Sequence, residues 1–94
     1  MKLIDVTNSH SSLVRSQLDN TDAQQVRVYS LGNTTVIYTI SPKHDEIALI
    51  NKQRSITPEE INTVMEHLTA HPLDRDACEL IETDKLVEIS IPKK

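Results

Sequence analysis

One cysteine, one glycine and two aromatic residues, Tyr29 and Tyr38, are all that this 94-residue chain has of those three kinds. With Cys78 alone, no intrachain disulfide can form and no zinc cluster can be assembled from thiolates. A reducing compartment is therefore expected. Trp and Phe are absent, so a core must be built from Ile, Leu and Val. The longest unbroken apolar run, Ile47 to Ile50, is far short of the roughly 20 residues of a membrane-spanning helix. No membrane partner is expected. Lys2 is followed by only Leu3 and Ile4 before Asp5 interrupts the run, which is not a secretory pattern, and the expected location is cytoplasmic.

A basic surplus is missing too. The net charge is −4, and it is unevenly spread: residues 1 to 54 carry six Lys or Arg against five Asp or Glu, while residues 55 to 88 carry two against nine. The acidic second half repels phosphate backbones. Lys43, His44, Lys52 and Arg54 form the one local basic cluster, without the aromatic platforms on which bases stack, so nucleic acid is not an expected partner. Apolar residues at 37% and charged residues at 26% suit a folded chain, and the length suits a single domain spanning 1–94.

The single glycine is the most informative residue present. Gly32-Asn33 separates two β-type runs, and glycine takes the positive φ that a two-residue hairpin loop needs. That loop sets Leu31 opposite Thr34, Tyr29 opposite Val36, Val28 opposite Ile37 and Arg27 opposite Tyr38. Strands are predicted over Gln24 to Leu31, Thr34 to Ser41 and, after a turn from Pro42 to Asp45, Glu46 to Lys52. Short connections make this an antiparallel meander.

Two helices flank the meander. After a first strand at Leu3 to Val6, Thr7-Asn8-Ser9 offers N-caps for a helix to about Asn20 with a thin stripe of Leu13, Val14 and Leu18. The second helix is better marked. Thr57 is its N-cap, Pro58 its first residue, Glu60 completes a capping box, and Ile56 and Ile61 form a hydrophobic staple. Ile61, Val64, Met65 and Leu68 make its apolar face, and Pro72 prevents continuation. The alternation of Val87, Ile89 and Ile91 predicts a final strand. Ala77 to Glu82 reads as its hairpin partner or as a short helix. The fold class is α+β, an antiparallel meander sheet with two helices in the order βαβββαββ.

No catalytic set and no cofactor motif emerge. His67 and His71 share a helix face at a spacing of four, but a third metal ligand is lacking and no metal site is assigned. At the strand-to-helix corner, Ser9, His10, Ser11 and Ser12 present hydroxyls and backbone N–H groups that could meet an anion, although no glycine lets a phosphate approach. This corner supports the alternative of a small-molecule or anion-binding protein or small enzyme.

The leading expectation is a binding or regulatory module acting through protein contacts, with a protein partner or by self-association. It rests on the meander being apolar on both sides. Val26, Val28, Ile37 and Thr39 share one face; Arg27, Tyr29, Leu31, Val36, Tyr38 and Ile40 share the other. Two helices can cover one face, or one helix each. The tyrosine face, with Arg27, Tyr29, Val36, Tyr38 and Ile40, is the expected partner surface, since Tyr and Arg are enriched at interfaces.

The opening Met-Lys-Leu-Ile-Asp-Val-Thr-Asn-Ser-His and the segment Val-Tyr-Ser-Leu-Gly-Asn-Thr-Thr-Val-Ile-Tyr-Thr at Val28 to Thr39 resemble a small family of uncharacterised proteins from lactic-acid bacteria and enterococci. The resemblance spans nearly the whole chain and implies a bacterial cytoplasmic protein. It brings no functional residues with it.

Overall fold

The computed structural model describes residues 2–70, 74 and 76–93. Six antiparallel strands, β1 (Ile4–Asp5), β2 (Gln25–Leu31), β3 (Thr34–Ile40), β4 (His44–Ile50), β5 (Glu79–Glu82) and β6 (Leu86–Pro92), form one sheet in the order β1-β2-β3-β4-β6-β5. Helix α1 (Ser11–Asn20) lies between β1 and β2 in sequence, and α2 (Pro58–Thr69) lies between β4 and β5. The chain is therefore α+β, in the predicted order.

The hairpin register is the one Gly32 dictates, from Leu31 opposite Thr34 to Gln25 opposite Ile40. Gly32 has φ +59 while Asn33 stays at negative φ, the pattern of a type II′ turn, whose twist matches that of the flanking strands. The next turn is tighter than predicted. Ser41 N donates to His44 O at 3.1 Å, so Pro42 and Lys43 alone make the corner and β4 begins at His44. Proline's fixed φ suits the second position of such a four-residue turn. The tail is a hairpin: β5 pairs with β6, and Thr83 N donates to Leu86 O at 2.8 Å to close the connection.

Helix α2 starts as its sequence demands. The Thr57 side chain accepts from Glu60 N at 3.2 Å, and Glu60 Oε1 accepts from Thr57 N at 3.1 Å. Its C-cap is Ala70, held at φ 60 with its N–H donating to Glu66 O at 3.1 Å. This left-handed position is one where glycine is usual and a Cβ is strained.

Helix α1 departs from expectation. A 3-10 turn (Thr7–His10) precedes it, and neither that turn nor α1 has a side-chain N-cap bond. The hydroxyl expected to cap is used elsewhere. Thr7 Oγ1 donates to Asp5 Oδ1 at 2.6 Å and accepts from Val28 N at 3.0 Å, carrying the β1–β2 pairing one step beyond the end of β1.

One helix serves each face. Ile61, Val64 and Met65 of α2 pack on Leu31, Val36, Ile47, Leu49, Val87 and Ile89, and these nine residues form the principal core. Val26 and Val28 point the other way, are 3% and 0% exposed, and lie outside that core. The element against β2 on that side is α1.

Candidate functional site

The charged chemistry of the molecule concentrates where α2 meets the sheet, and there it is structural. Glu60 is 1% exposed, yet every oxygen is met. Arg54 donates to it twice, Nη1 to Oε1 at 2.6 Å and Nη2 to Oε2 at 3.2 Å, while the Thr34 hydroxyl donates to Oε2 and Thr57 donates through both its N–H and its hydroxyl to Oε1. Asn51 Nδ2 donates to Thr34 Oγ1 at 3.1 Å, and Asn51 Oδ1 accepts from Gln53 N and Arg54 N. The Arg54 guanidinium, helped by Thr34 and Thr57, outweighs desolvation and holds the Glu60 carboxyl down to about 2. A carboxylate so buried and so fully bonded is ionised in the folded chain and cannot act as a general acid near neutral pH. It pins α2 to the start of β3 and to the loop after β4.

Burial, with Asp45 and then Tyr29 adding to it, raises the Tyr38 phenol, and burial followed by Asp5 raises that of Tyr29. Burial and the nearby Asp74 push the Cys78 thiol up, the opposite of what a nucleophilic cysteine needs. Cys78 packs against the core as a small apolar residue. Among the described residues, no group of three or more His, Cys, Asp or Glu is placed to hold a metal ion. His67 is exposed, and His71 lies outside the described residues.

At the strand-to-helix corner, Ser9, Ser11 and Ser12 are exposed and the His10 ring lies with Nδ1 3.1 Å from Val6 O. The 3-10 turn separates β1 from α1, so the serines do not converge on a single helix N-terminus. Asp5 stands at this corner with its carboxyl lowered by the two Thr7 bonds, a negative charge that disfavours an anion. Beside it, Thr7, Ser11, Val14, Arg15, Leu18 and Asp19 line an open groove of about 450 Å³ along α1.

The expected partner surface lies on the α2 side. Val36 is fully buried beneath α2 and cannot meet a partner. Tyr29 and Tyr38 are half-buried against the core, Ile40 is half-buried, and Arg27 stands exposed across from Tyr38. The reason is the stronger stripe of α2, which roofs the face carrying Leu31, Val36, Ile47, Leu49, Val87 and Ile89.

On the opposite face only Val26 and Val28 among the apolar residues are fully buried. Its cross-strand rows are Val28-Ile37-Ala48-Glu88-Ile81 and Thr35-Ile50-Leu86, read from the pairing of successive strands. Ile37, Ala48, Ile50 and Leu86 are half-buried. Three large apolar side chains are exposed among the described residues: Ile4 at 53%, Leu18 at 39% and Ile81 at 57%. All belong to this side. Ile4 pairs with Ser30, which shares a face with Val28; Ile81 pairs with Glu88; and Leu18 is on α1 itself. The acidic Glu46, Glu79 and Glu88 stand on the same face. Sequence reasoning named neither this patch nor the roles of Thr34, Asn51 and Arg54 around Glu60.

These features define a class: a small α+β domain built on a six-stranded antiparallel sheet with one helix on each face. The chain belongs to the family described as "Domain of unknown function (DUF1827)", whose model matches residues 1–92. It is similar to a solved protein described as a conserved protein of unknown function from Streptococcus thermophilus LMG 18311. The two are 42% identical, with a TM-score of 0.90 over 100% of this chain and 98% of that one. That relative agrees with the resemblance to a family of lactic-acid bacteria. No curated protein matches the chain. No helix among the described residues is long and apolar enough to cross a membrane.

Proposed function

We propose that this domain is a binding module that works through protein contacts, and that its contact surface is the α1 side of the sheet. The observation that carries this is the distribution of exposed apolar residues. Ile81 on β5 is 57% exposed on the face that carries the half-buried Ile37, Ala48, Ile50 and Leu86, and Leu18 on α1 and Ile4 at the far edge of the sheet are exposed on the same side. A contiguous apolar patch such as that of Ile37, Ala48, Ile50 and Leu86 marks a contact surface more often than isolated residues do. The single reduced cysteine favours action in the cytoplasm.

A photo-crosslinking residue at position 48, within this patch, tests the proposal in the cells that express the protein. A control at position 66, exposed on α2, reports background. Adducts to a polypeptide at position 48 and not at position 66 support the assignment. Equal labelling at both positions, or none at 48, overturns it.

A further inference from the structure

We infer that the occupant of this contact surface is a basic amphipathic helix of a partner protein, anchored by one Arg or Lys among Glu46, Glu79 and Glu88. The inference rests on the contact surface proposed above and names the chemistry of its partner. On β4, β5 and β6 no residue of the α1-side face is fully buried, and Glu46, Glu79, Ile81 and Glu88 are exposed there. Apolar and acidic side chains are interleaved. Glu88 stands between Ala48 and Ile81 in one cross-strand row, and Ser90 stands between Glu46 and Glu79 in the next. Ile50 and Leu86 pair on the other side of the Glu88 row.

That interleaving decides the charge of the partner. A protein that covers Ala48 and Ile81 also covers Glu88, and a carboxylate taken from water without a counter-charge costs more than so small an apolar contact returns. On the α2 side the chain supplies its own cations: Arg54 binds Glu60, and Lys93 Nζ lies 3.1 Å from Asp45 Oδ1. On β4, β5 and β6 the α1-side face carries no Lys or Arg. Glu46 has His44 at 3.2 Å, and Glu79 and Glu88 have no ion-pair partner among the described residues. The cation must therefore come from outside. A second copy of this face would set glutamates against glutamates, and nucleic acid or an anionic lipid surface would bring phosphate, so all three are repelled.

Shape points the same way. Glu46, Glu79, Ile81, Glu88 and Ser90 line a hollow of about 160 Å³. Small-molecule pockets begin at roughly 300 Å³, so this one suits a single long side chain. Arg and Lys lay their methylenes on apolar surface, here Ile81, while the charged head reaches carboxylates beside it. The axes of β4, β6 and β5 lie side by side, and at about 4.8 Å spacing they make a strip about 10 Å wide, the width of one helix with its side chains. A helix is also what covers a sheet face elsewhere in this domain.

NMR titration of the intact chain with a capped peptide of about 15 residues, Leu and Arg patterned as an amphipathic helix, tests the inference, with Glu for Arg in a matched second peptide. The Arg peptide should shift the amide signals of Ala48, Ile81 and Glu88, and the Glu peptide should shift none of them. Glu79→Lys with Glu88→Lys should weaken binding by about tenfold or more. Glu59→Lys with Glu66→Lys on α2 makes the same change in net charge and should weaken it by less than about twofold. All four side chains are exposed, so both double variants should keep the fold of the parent. Equal weakening by the two, or shifts confined to other surfaces, overturns the inference. In cells, the segment captured by position 48, read by mass spectrometry, should carry Arg or Lys at helical spacing. A captured segment without them removes the basic helix and leaves the contact surface standing. Absence of adducts at position 48 removes the contact surface itself.

Discussion

The two faces of the sheet are made from the same strands and from nearly the same kinds of residue, yet α2 buries the centre of one completely and α1 buries the other fully only at Val26 and Val28 on β2. On the α2 side, Leu31, Val36, Ile47, Leu49 and Ile89 are all 0% exposed. On the α1 side only Val26 and Val28, on β2, reach comparable burial, while Ile37, Ala48 and Ile50 stay half-buried. The helices differ in how they are fixed. Helix α2 buries four residues, Glu60, Ile61, Val64 and Met65, and has a full capping box; α1 buries none and has no side-chain cap. Closure of a sheet face depends on how firmly its helix is anchored, and not only on how apolar the face is.

The largest expected effect sharpens that contrast. Ile89→Ala, in the α2-side core, should lower unfolding free energy by about 3 kcal/mol, because it removes fully buried methylenes and leaves a cavity. Ile50→Ala on the α1-side face should cost about 1 kcal/mol, since part of its surface already meets water. Urea titration measures both. Equal losses would break the comparison.

The next effect lies in the anchor of α2. The folded Glu60 carboxyl, held down to about 2, binds its proton more weakly than the unfolded one at an ordinary 4.5. Its contribution is therefore complete above pH 4.5 and is lost as pH falls from there toward 2, by roughly 3 kcal/mol at most. Glu60→Gln should remove most of this at neutral pH, and its stability should fall less steeply with acid than that of the parent. Parallel pH profiles of the two proteins would show that the Arg54 pair contributes little.

The smallest effect concerns the other end of α2. Ala70 adopts φ 60, and Ala70→Gly should raise stability by about 0.5 to 1 kcal/mol by relieving the Cβ contact of a left-handed residue. Thermal melts compared at one protein concentration are sufficient. An unchanged melting temperature would mean that the flexibility glycine adds to the unfolded chain offsets the relief.

Several elements were readable before the structure because their signals are local. Gly32-Asn33 fixed every pairing in the β2–β3 hairpin, since a two-residue loop admits one register. Thr57, Pro58 and Glu60 announced the start of α2 within four residues. The tail hairpin followed from the alternation of Val87, Ile89 and Ile91. The Glu60 network was not readable beyond its capping box. Thr34 lies 26 residues away in sequence, and Asn51 and Arg54 come from a loop whose shape only the packed helix defines. The corner at Thr7 misled for a related reason. Its hydroxyl was free to cap a helix or to extend a strand pair, and β2 supplied the better partner in Val28 N.

The sequence by itself determined which side chains share a face, because the strand period of two and one tight turn leave no other choice. It could not determine which face would be roofed. That was decided in three dimensions, where the buried Glu60, its Arg54 partner and the apolar stripe of α2 fasten one helix firmly above Val36 and Leu49, and nothing comparable fastens α1 above Ile37 and Ile50. On the tyrosine face that helix buries Leu31 and Val36 completely, while Tyr29, Tyr38 and Ile40 stay half-buried and Arg27 exposed.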